Sequence, residues 1–389
     1  MRKAIFWGTI LLLVAMATAA CASADYLTIA QLREEAPSHW GQTFETQWRT
    51  VRLDAEIRLP NVEAVPLLAV KAGIPEPPVA VDTSRWASAR VINSMRLCLN
   101  AGDVEYPKTV EGRRVGGPTS KGNWYGGFAP ENRYVPMDNI TFGEIAAMAR
   151  TEIERAGFDP NEFQPELPER LWAHHVYAAG TKEDILPGYI FMDFHQKLMG
   201  IPILSHILET VTSRSGEGYS NEIYPTFDSG LCYDGYTAGL TSLCIGYLKP
   251  VETLAVDVPL RPFSDVIAAL EPEITGGRLR KIYEIELGYV LYNEPNAYHA
   301  RHETEKETEA LYRDVTYYAK PMWKINCLYV SNPRAKLAET ASYTDDERNS
   351  LDYLQLLVDA QTGELIGESS AKDRAEFKGF LSWEDVKQN

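Results

Sequence analysis

"YLQLLVDAQTGELIG", Tyr353 to Gly367, decides how the C-terminal part of this chain is read. Leu354, Leu356 and Val358 fall on one side of a two-residue alternation, and Gln355, Leu357 and Asp359 fall on the other. Gln361-Thr362-Gly363 interrupts the run, and Leu365 and Ile366 resume it. Gly363 supplies the positive φ that a tight or bulged hairpin needs. Asp359 stands where a carboxylate accepts hydrogen bonds from the amides of a bend. Turn chemistry therefore accounts for both acids of the stretch, Asp359 and Glu364, without catalysis.

Working outward, "RLRKIYEIELGYVLYN" (278–293) and "YYAKPMWKINCLYV" (317–330) are further strands rich in Tyr, Ile, Leu and Val. Before them "PLRPFSDVIAALEPEI" (259–274) reads as a helix with Ser264 as its cap and Phe263, Val266, Ile267 and Leu270 along one stripe. The same order occurs earlier. "NITFGEIAAMARTEIERAGF" (139–158) has Thr141 and Glu144 spaced as a capping box. Its apolar stripe is Ile145, Met148, Ala149 and Ile153, and Gly157 follows as the left-handed residue. Strands are expected at "RLWAHHVYAA" (170–179), "GYIFMDFHQKLMGIPIL" (188–204, turning at Met199-Gly200) and "LTSLCIGYLKPVETL" (240–254). Upstream, "YLTIAQLREEAPSHW" (26–40) reads as a short helix. "WRTVRLDAEIRLP" (48–60) alternates Val51, Leu53, Ala55, Ile57 and Leu59 with charged residues, as a half-buried antiparallel strand does. "PLLAVKAG" (66–73) is its expected partner. The expectation is an α+β fold with a β-rich region at 25–130 and two helix-plus-antiparallel-sheet units at 131–255 and 256–389.

The first residues point to export. Arg2 and Lys3 precede an uncharged apolar run from Ile5 to Ala20, and small residues follow in "ATAACASAD". That is the layout of a secretory signal peptide at 1–24, and the run is short of the ~20 residues of a membrane span. Two processing sites compete: cleavage after Ala24, releasing a chain that starts at Asp25, or cleavage before Cys21, whose thiol would carry lipid. Removing Arg2 and Lys3 takes the net charge from −16 to −18. Such acidity argues against nucleic acid and against docking on anionic lipid, leaving a lipid anchor as the one expected tie to a membrane.

Four cysteines remain beyond Cys21: Cys98, Cys232, Cys244 and Cys327. They match no zinc template, and no metal or cofactor is expected. They stay as buried thiols, or Cys232 and Cys244, close in sequence, bridge neighbouring strands. His174 and His175 alternate across a strand and cannot share one ion. His299 and His302 sit in the charged stretch 293–314, which reads as solvated, and His195 and His206 are isolated. No nucleophile elbow or phosphate loop occurs, so no catalytic residue is assigned. The Gly-rich loop at 111–130 carries Trp124, Tyr125 and Phe128, candidates for a partner-binding surface if they are not folded into the core.

"VDAQTGELIG" closing a sheet after "YAKPMWKI" and "IYEIELGYVLYN" resembles the last domain of PepSY-like proteins. It is similar also to the extracytoplasmic regulators beside the cell-wall sensor kinase of Gram-positive bacteria. "FHQKLMGIPIL" resembles the matching element of a first repeat. The overall likeness, over roughly the last two-thirds of the chain, is to an uncharacterised family of Gram-positive exported proteins and lipoproteins. The resemblance implies a non-enzymatic envelope protein that binds or restrains a protein partner. Two other functions stay open: a secreted glycan or peptide hydrolase using acidic residues, and a small-ligand binder.

Overall fold

The structure is a computed structural model. It describes residues 26–74, 85–92, 96–102, 109–110, 113–114, 142–165, 172–174, 189–204, 229–234, 239–293, 315–330, 351–366 and 380–388. In chain order the elements begin with α1 (Ile29–Glu35), β1 (His39–Glu45), β2 (Thr50–Arg58), β3 (Leu67–Ala72), β4 (Ser88–Ile92) and β5 (Arg96–Asn100). β6 (Thr109–Val110), β7 (Arg113–Arg114), α2 (Phe142–Arg155), β8 (Phe163–Pro165), β9 (Trp172–His174), β10 (Tyr189–Leu198), β11 (Ile201–Pro202) and β12 (Ser229–Asp234) follow. The remainder is β13 (Gly239–Gly246), β14 (Leu248–Ala255), α3 (Phe263–Thr275), β15 (Leu279–Asn293), β16 (Tyr317–Val330), β17 (Leu351–Asp359), β18 (Leu365–Ile366) and α4 (Trp383–Gln388).

Among the described residues the strands form two eight-stranded sheets and one small ribbon, so the fold is α+β and rich in β. Sheet I runs β1-β2-β15-β16-β17-β18, with β3 on β16 beside β17 and β14 on β3. Sheet II runs β11-β10-β12-β13-β5-β4, with β8 and β9 against β10. Each pairs antiparallel except at one seam, where β2 lies parallel to β15. The N-terminal strands are divided: β1, β2 and β3 complete sheet I, and β4 and β5 complete sheet II.

Local signals explain most elements. Thr28 and Gln31 cap α1 reciprocally, satisfying two amides that the first turn leaves open. β2 buries Val51, Leu53, Ala55 and Ile57 and exposes the residues between, as its alternation predicts. Its partners differ from expectation: 66–73 pairs with β14 and β16, while β2 takes β1 and the parallel β15. Met199 and Gly200 both adopt positive φ, so a two-residue bend joins β10 to β11. Gly157, at φ +86°, ends α2, and Phe158 N–H bonds back to the Ile153 carbonyl. Ser264 does not cap α3. Pro262 holds that position, and the carboxylate of Glu35 accepts from the Phe263 amide. The Thr141 cap lies outside the described residues.

Helices cover the apolar face of each sheet: α3, with Ile29 and Leu32 of α1, on sheet I, and α2 on sheet II. α3 buries Phe263, Val266, Leu270 and Ile274, spaced for a single stripe, and Phe263 packs on fully buried Trp323. Burying side chains of this size stabilises by about 2 kcal/mol each. α2 buries Ile145, Ala149 and Ile153 against Leu97, Leu99, Leu231, Leu243 and Ile245 of sheet II. Glu152 of α2, also buried, is held by Arg85 at 2.6 Å and Arg155 at 2.8 Å. The sheets meet where the Gln196 side chain bonds both the amide and the carbonyl of Leu248, at 2.8 Å each. There Leu204 N–H also donates to the Tyr289 carbonyl.

Candidate functional site

Each sheet keeps its polar chemistry on the face away from its helix. On β5, Leu97 and Leu99 point into the core, which sends Arg96, Cys98 and Asn100 to the other side. On β13, Leu243 and Ile245 are the inward pair, so Ser242 and Cys244 share the outward face. Register then makes the site. Cys98 lies directly opposite Cys244, and Arg90 of β4 lies directly opposite Cys98 on its other flank. The two sulfurs are 2.8 Å apart. Arg96, two residues before Cys98 on the same face, hydrogen-bonds both. Cys98 is 8% exposed, and Cys244 is half-buried.

The electrostatics of the pair follow from this geometry. Cys244 donates to the Cys98 sulfur, favouring a thiolate there. Burial opposes that charge, and the nearby guanidinium groups of Arg96 and Arg90 favour it. The net effect lowers Cys98 from 9.0 to about 6. Cys244 moves upward, because its hydrogen bond to Cys98, its burial and the charge on Cys98 all retain its proton. The arrangement favours a thiolate on Cys98 and retains the proton on Cys244, with Arg96 and Arg90 beside the pair. Cys327 is the contrast. It lies in the apolar core of sheet I, where burial pushes it up to about 12. There it acts as a small apolar side chain.

The polar face of sheet I holds charges of both signs. Glu284 of β15 is met by Arg58 of β2 at 3.1 Å and by the Asn326 amide at 2.9 Å. Glu286 faces Lys324 at 3.7 Å and accepts from Gln164 of β8 at 3.2 Å. Lys320 pairs with Asp359. Gln164 belongs to sheet II, so this ionic layer lies between the sheets, and Lys324 is fully buried in it. Its carboxylates are each engaged by a cation or an amide, which makes the layer structural.

The hairpin acids are accounted for by the bend. Asp359 Oδ1 accepts from the amides of Gln361 at 2.8 Å and Thr362 at 3.1 Å, while Glu364 is exposed. Gly363 has φ +73°. The Cys232–Cys244 bridge drawn from sequence spacing gives way to another pairing. Cys232 stands opposite Ser242, two positions away along the ladder, and Cys244 meets Cys98 from the N-terminal region. His195 is buried on β10 opposite Gln164, and His174 of β9 stands opposite Tyr189. Cys21, Trp124, Tyr125, Phe128, His175, His206, His299 and His302 lie outside the described residues. Among the described residues no group of three or more His, Cys, Asp or Glu is placed to hold a metal ion. No helix among them is long and apolar enough to cross a membrane. The thiol pair left a trace in the sequence: "RLCLN" and "SLCIG" both put cysteine on the polar phase of an apolar alternation.

No protein-family model matches the chain, and no curated protein does. Among solved structures it is similar to an uncharacterised protein from Eubacterium rectale ATCC 33656. The likeness covers 87% of this chain and 97% of that one, with 15% identity and a TM-score of 0.50. At that identity the likeness speaks to the fold alone.

Proposed function

We propose that this is an extracytoplasmic, non-enzymatic interaction or regulatory protein of a Gram-positive envelope, built on two PepSY-like units and tied to the membrane by lipid on Cys21. In support of this reading, α2 is followed by the antiparallel run β10-β12-β13 and α3 by β15-β16-β17. In each, a helix covers the apolar face of the antiparallel run that succeeds it. The partner is an envelope or membrane protein. The observation that carries the reading is the outer strand of sheet II. β4 pairs only with β5 among the described residues, and Ser88, Ala89 and Arg90 are exposed along it. An edge of this kind receives an extended segment by main-chain hydrogen bonding, with side chains adding specificity. Arg90 favours an acidic segment.

A photo-reactive residue in place of Ser88, irradiated in living cells, tests this. The expected result is one recurrent adduct with a membrane or wall protein, lost in the Arg90→Glu variant, and an N-terminal peptide carrying lipid on Cys21. A chain that starts at Asp25 and gives no recurrent adduct would overturn it.

A further inference from the structure

We propose that Cys98 and Cys244 are a redox couple which closes into a cross-strand disulfide, stapling β5 to β13 and so tying the N-terminal region to the central one. Three independent features of the fold meet at this point. The register places the two residues face to face on adjacent antiparallel strands, with their sulfurs 2.8 Å apart. That is closer than two sulfurs approach without sharing a hydrogen or a bond, so closure needs little backbone movement. Arg96 and Arg90 stabilise the thiolate that disulfide exchange requires, as a group of cations does beside reactive cysteines. The strands are also distant in sequence, 146 residues apart at the two cysteines. A link across so long a loop restricts the unfolded chain more than the short Cys232–Cys244 loop would.

The chemistry balances with a disulfide-bearing oxidant, the class of reagent that thiol exchange uses. The Cys98 thiolate attacks one sulfur of the oxidant, whose S–S bond breaks and releases a first thiolate. Cys244 gives up its proton to that leaving group, directly or through water, and its sulfur attacks the sulfur of Cys98. The mixed disulfide then breaks and the second thiolate leaves, taking a proton from solvent. Two electrons pass from the protein to the oxidant, which ends as two thiols. Among the described residues, the titratable and charged groups facing the pair are Arg90 on β4, Arg96 on β5 itself and the two sulfurs, one from each strand. Cys232 and Cys327 stay outside the couple. Cys232 faces Ser242 on the ladder, and Cys327 sits in the core of the other sheet. The staple lies one strand in from β4, so it would hold the edge that the proposed function uses, yet it stands or falls without any partner.

The test uses the purified full chain in mixtures of oxidised and reduced glutathione, quenched in acid, alkylated and mapped by mass spectrometry. The expected product has lost two hydrogens and yields one linked peptide pair containing Cys98 and Cys244. Cys232 and Cys327 are alkylated only after denaturation. Cys98→Ser and Cys244→Ser each abolish the link, and Cys232→Ser leaves it intact. The wild-type protein needs no variant for the second readout: oxidised, it melts about 10 °C above its reduced form. In the reduced protein, the reaction with a small disulfide reagent rises through a midpoint near the Cys98 value of about 6. Cys98 and Cys244 both fully alkylated at every glutathione ratio would overturn the proposal, as would a link through Cys232. Loss of the photo-adduct at Ser88 would bear only on the partner reading.

Discussion

The polar faces of the two sheets begin alike and end differently. Each faces away from a helix, and each collects the ionisable residues of alternating strands. On sheet I the register sets unlike charges together, Glu286 opposite Lys324, with Arg58 of β2 reaching Glu284 from the side. On sheet II it sets two acids of the same kind together, Cys98 opposite Cys244, and flanks them with cations. An acid facing a cation is neutralised and can be buried as structure. Two thiols in contact share one hydrogen bond, and the guanidinium groups beside them favour a thiolate on the accepting sulfur. Cross-strand register, more than residue type, separates the structural face from the chemical one.

The largest effect that breaks this comparison lies on sheet I. Glu286→Ala removes a carboxylate that faces fully buried Lys324 and is expected to cost about 3–5 kcal/mol in urea unfolding. Replacing both, Glu286→Leu with Lys324→Met, recovers most of that loss, because well-packed apolar side chains substitute for a buried pair at little cost. An uncompensated double variant would show that the pair does more than fill its layer.

The counterpart on sheet II is a pH profile. Cys98 has its folded value lowered to about 6 from 9.0. A lowered acid stabilises the fold above its unfolded value and loses that contribution as pH falls through the folded one. Cys244 is raised, so its contribution is present below the unfolded value and fades as pH climbs past it. The reduced protein is therefore expected to gain stability from pH 6 to about 9 and lose it beyond. Thermal melts of reduced wild type against Cys98→Ser, which should lack the rise, check this.

Gly288→Ala tests how closely the sheets approach. A Cβ there would sit 2.6 Å from the Pro202 carbonyl oxygen, and backbone cannot yield as a side chain can. The expected loss is about 2–3 kcal/mol by urea unfolding, with no change in thiol reactivity on sheet II. Asp359→Ala has the smallest effect, about 2 kcal/mol, from two lost amide hydrogen bonds and an unpaired Lys320. Asp359→Asn should keep the amide bonds and recover part of that loss.

Much of the fold was legible because the signals are local. The cap of α1, the alternation of β2, the bend at Met199-Gly200 and the hairpin around Gly363 each depend on residues within a few positions of one another. The cap of α3 was misassigned for the opposite reason: the group that meets its first amide is Glu35, 228 residues away. The candidate site was half legible. The polar phase of Cys98 and Cys244 is written in their strands, whereas their meeting depends on β5 joining β13.

By itself the sequence determined helices α2 and α3, the strands β2, β10, β15, β16 and β17, and the acidic balance, while β1, β4, β5 and β12 carried no signal strong enough to assign. Tertiary structure alone decided which strands became neighbours. It sent β1, β2 and β3 to one sheet and β4 and β5 to the other, laid β2 parallel to β15, and brought Cys244 to Cys98 in place of Cys232. The physical reason is that alternation specifies which face of a strand is buried and leaves its partner open. Partner and register emerge only when every apolar face has found a cover at once.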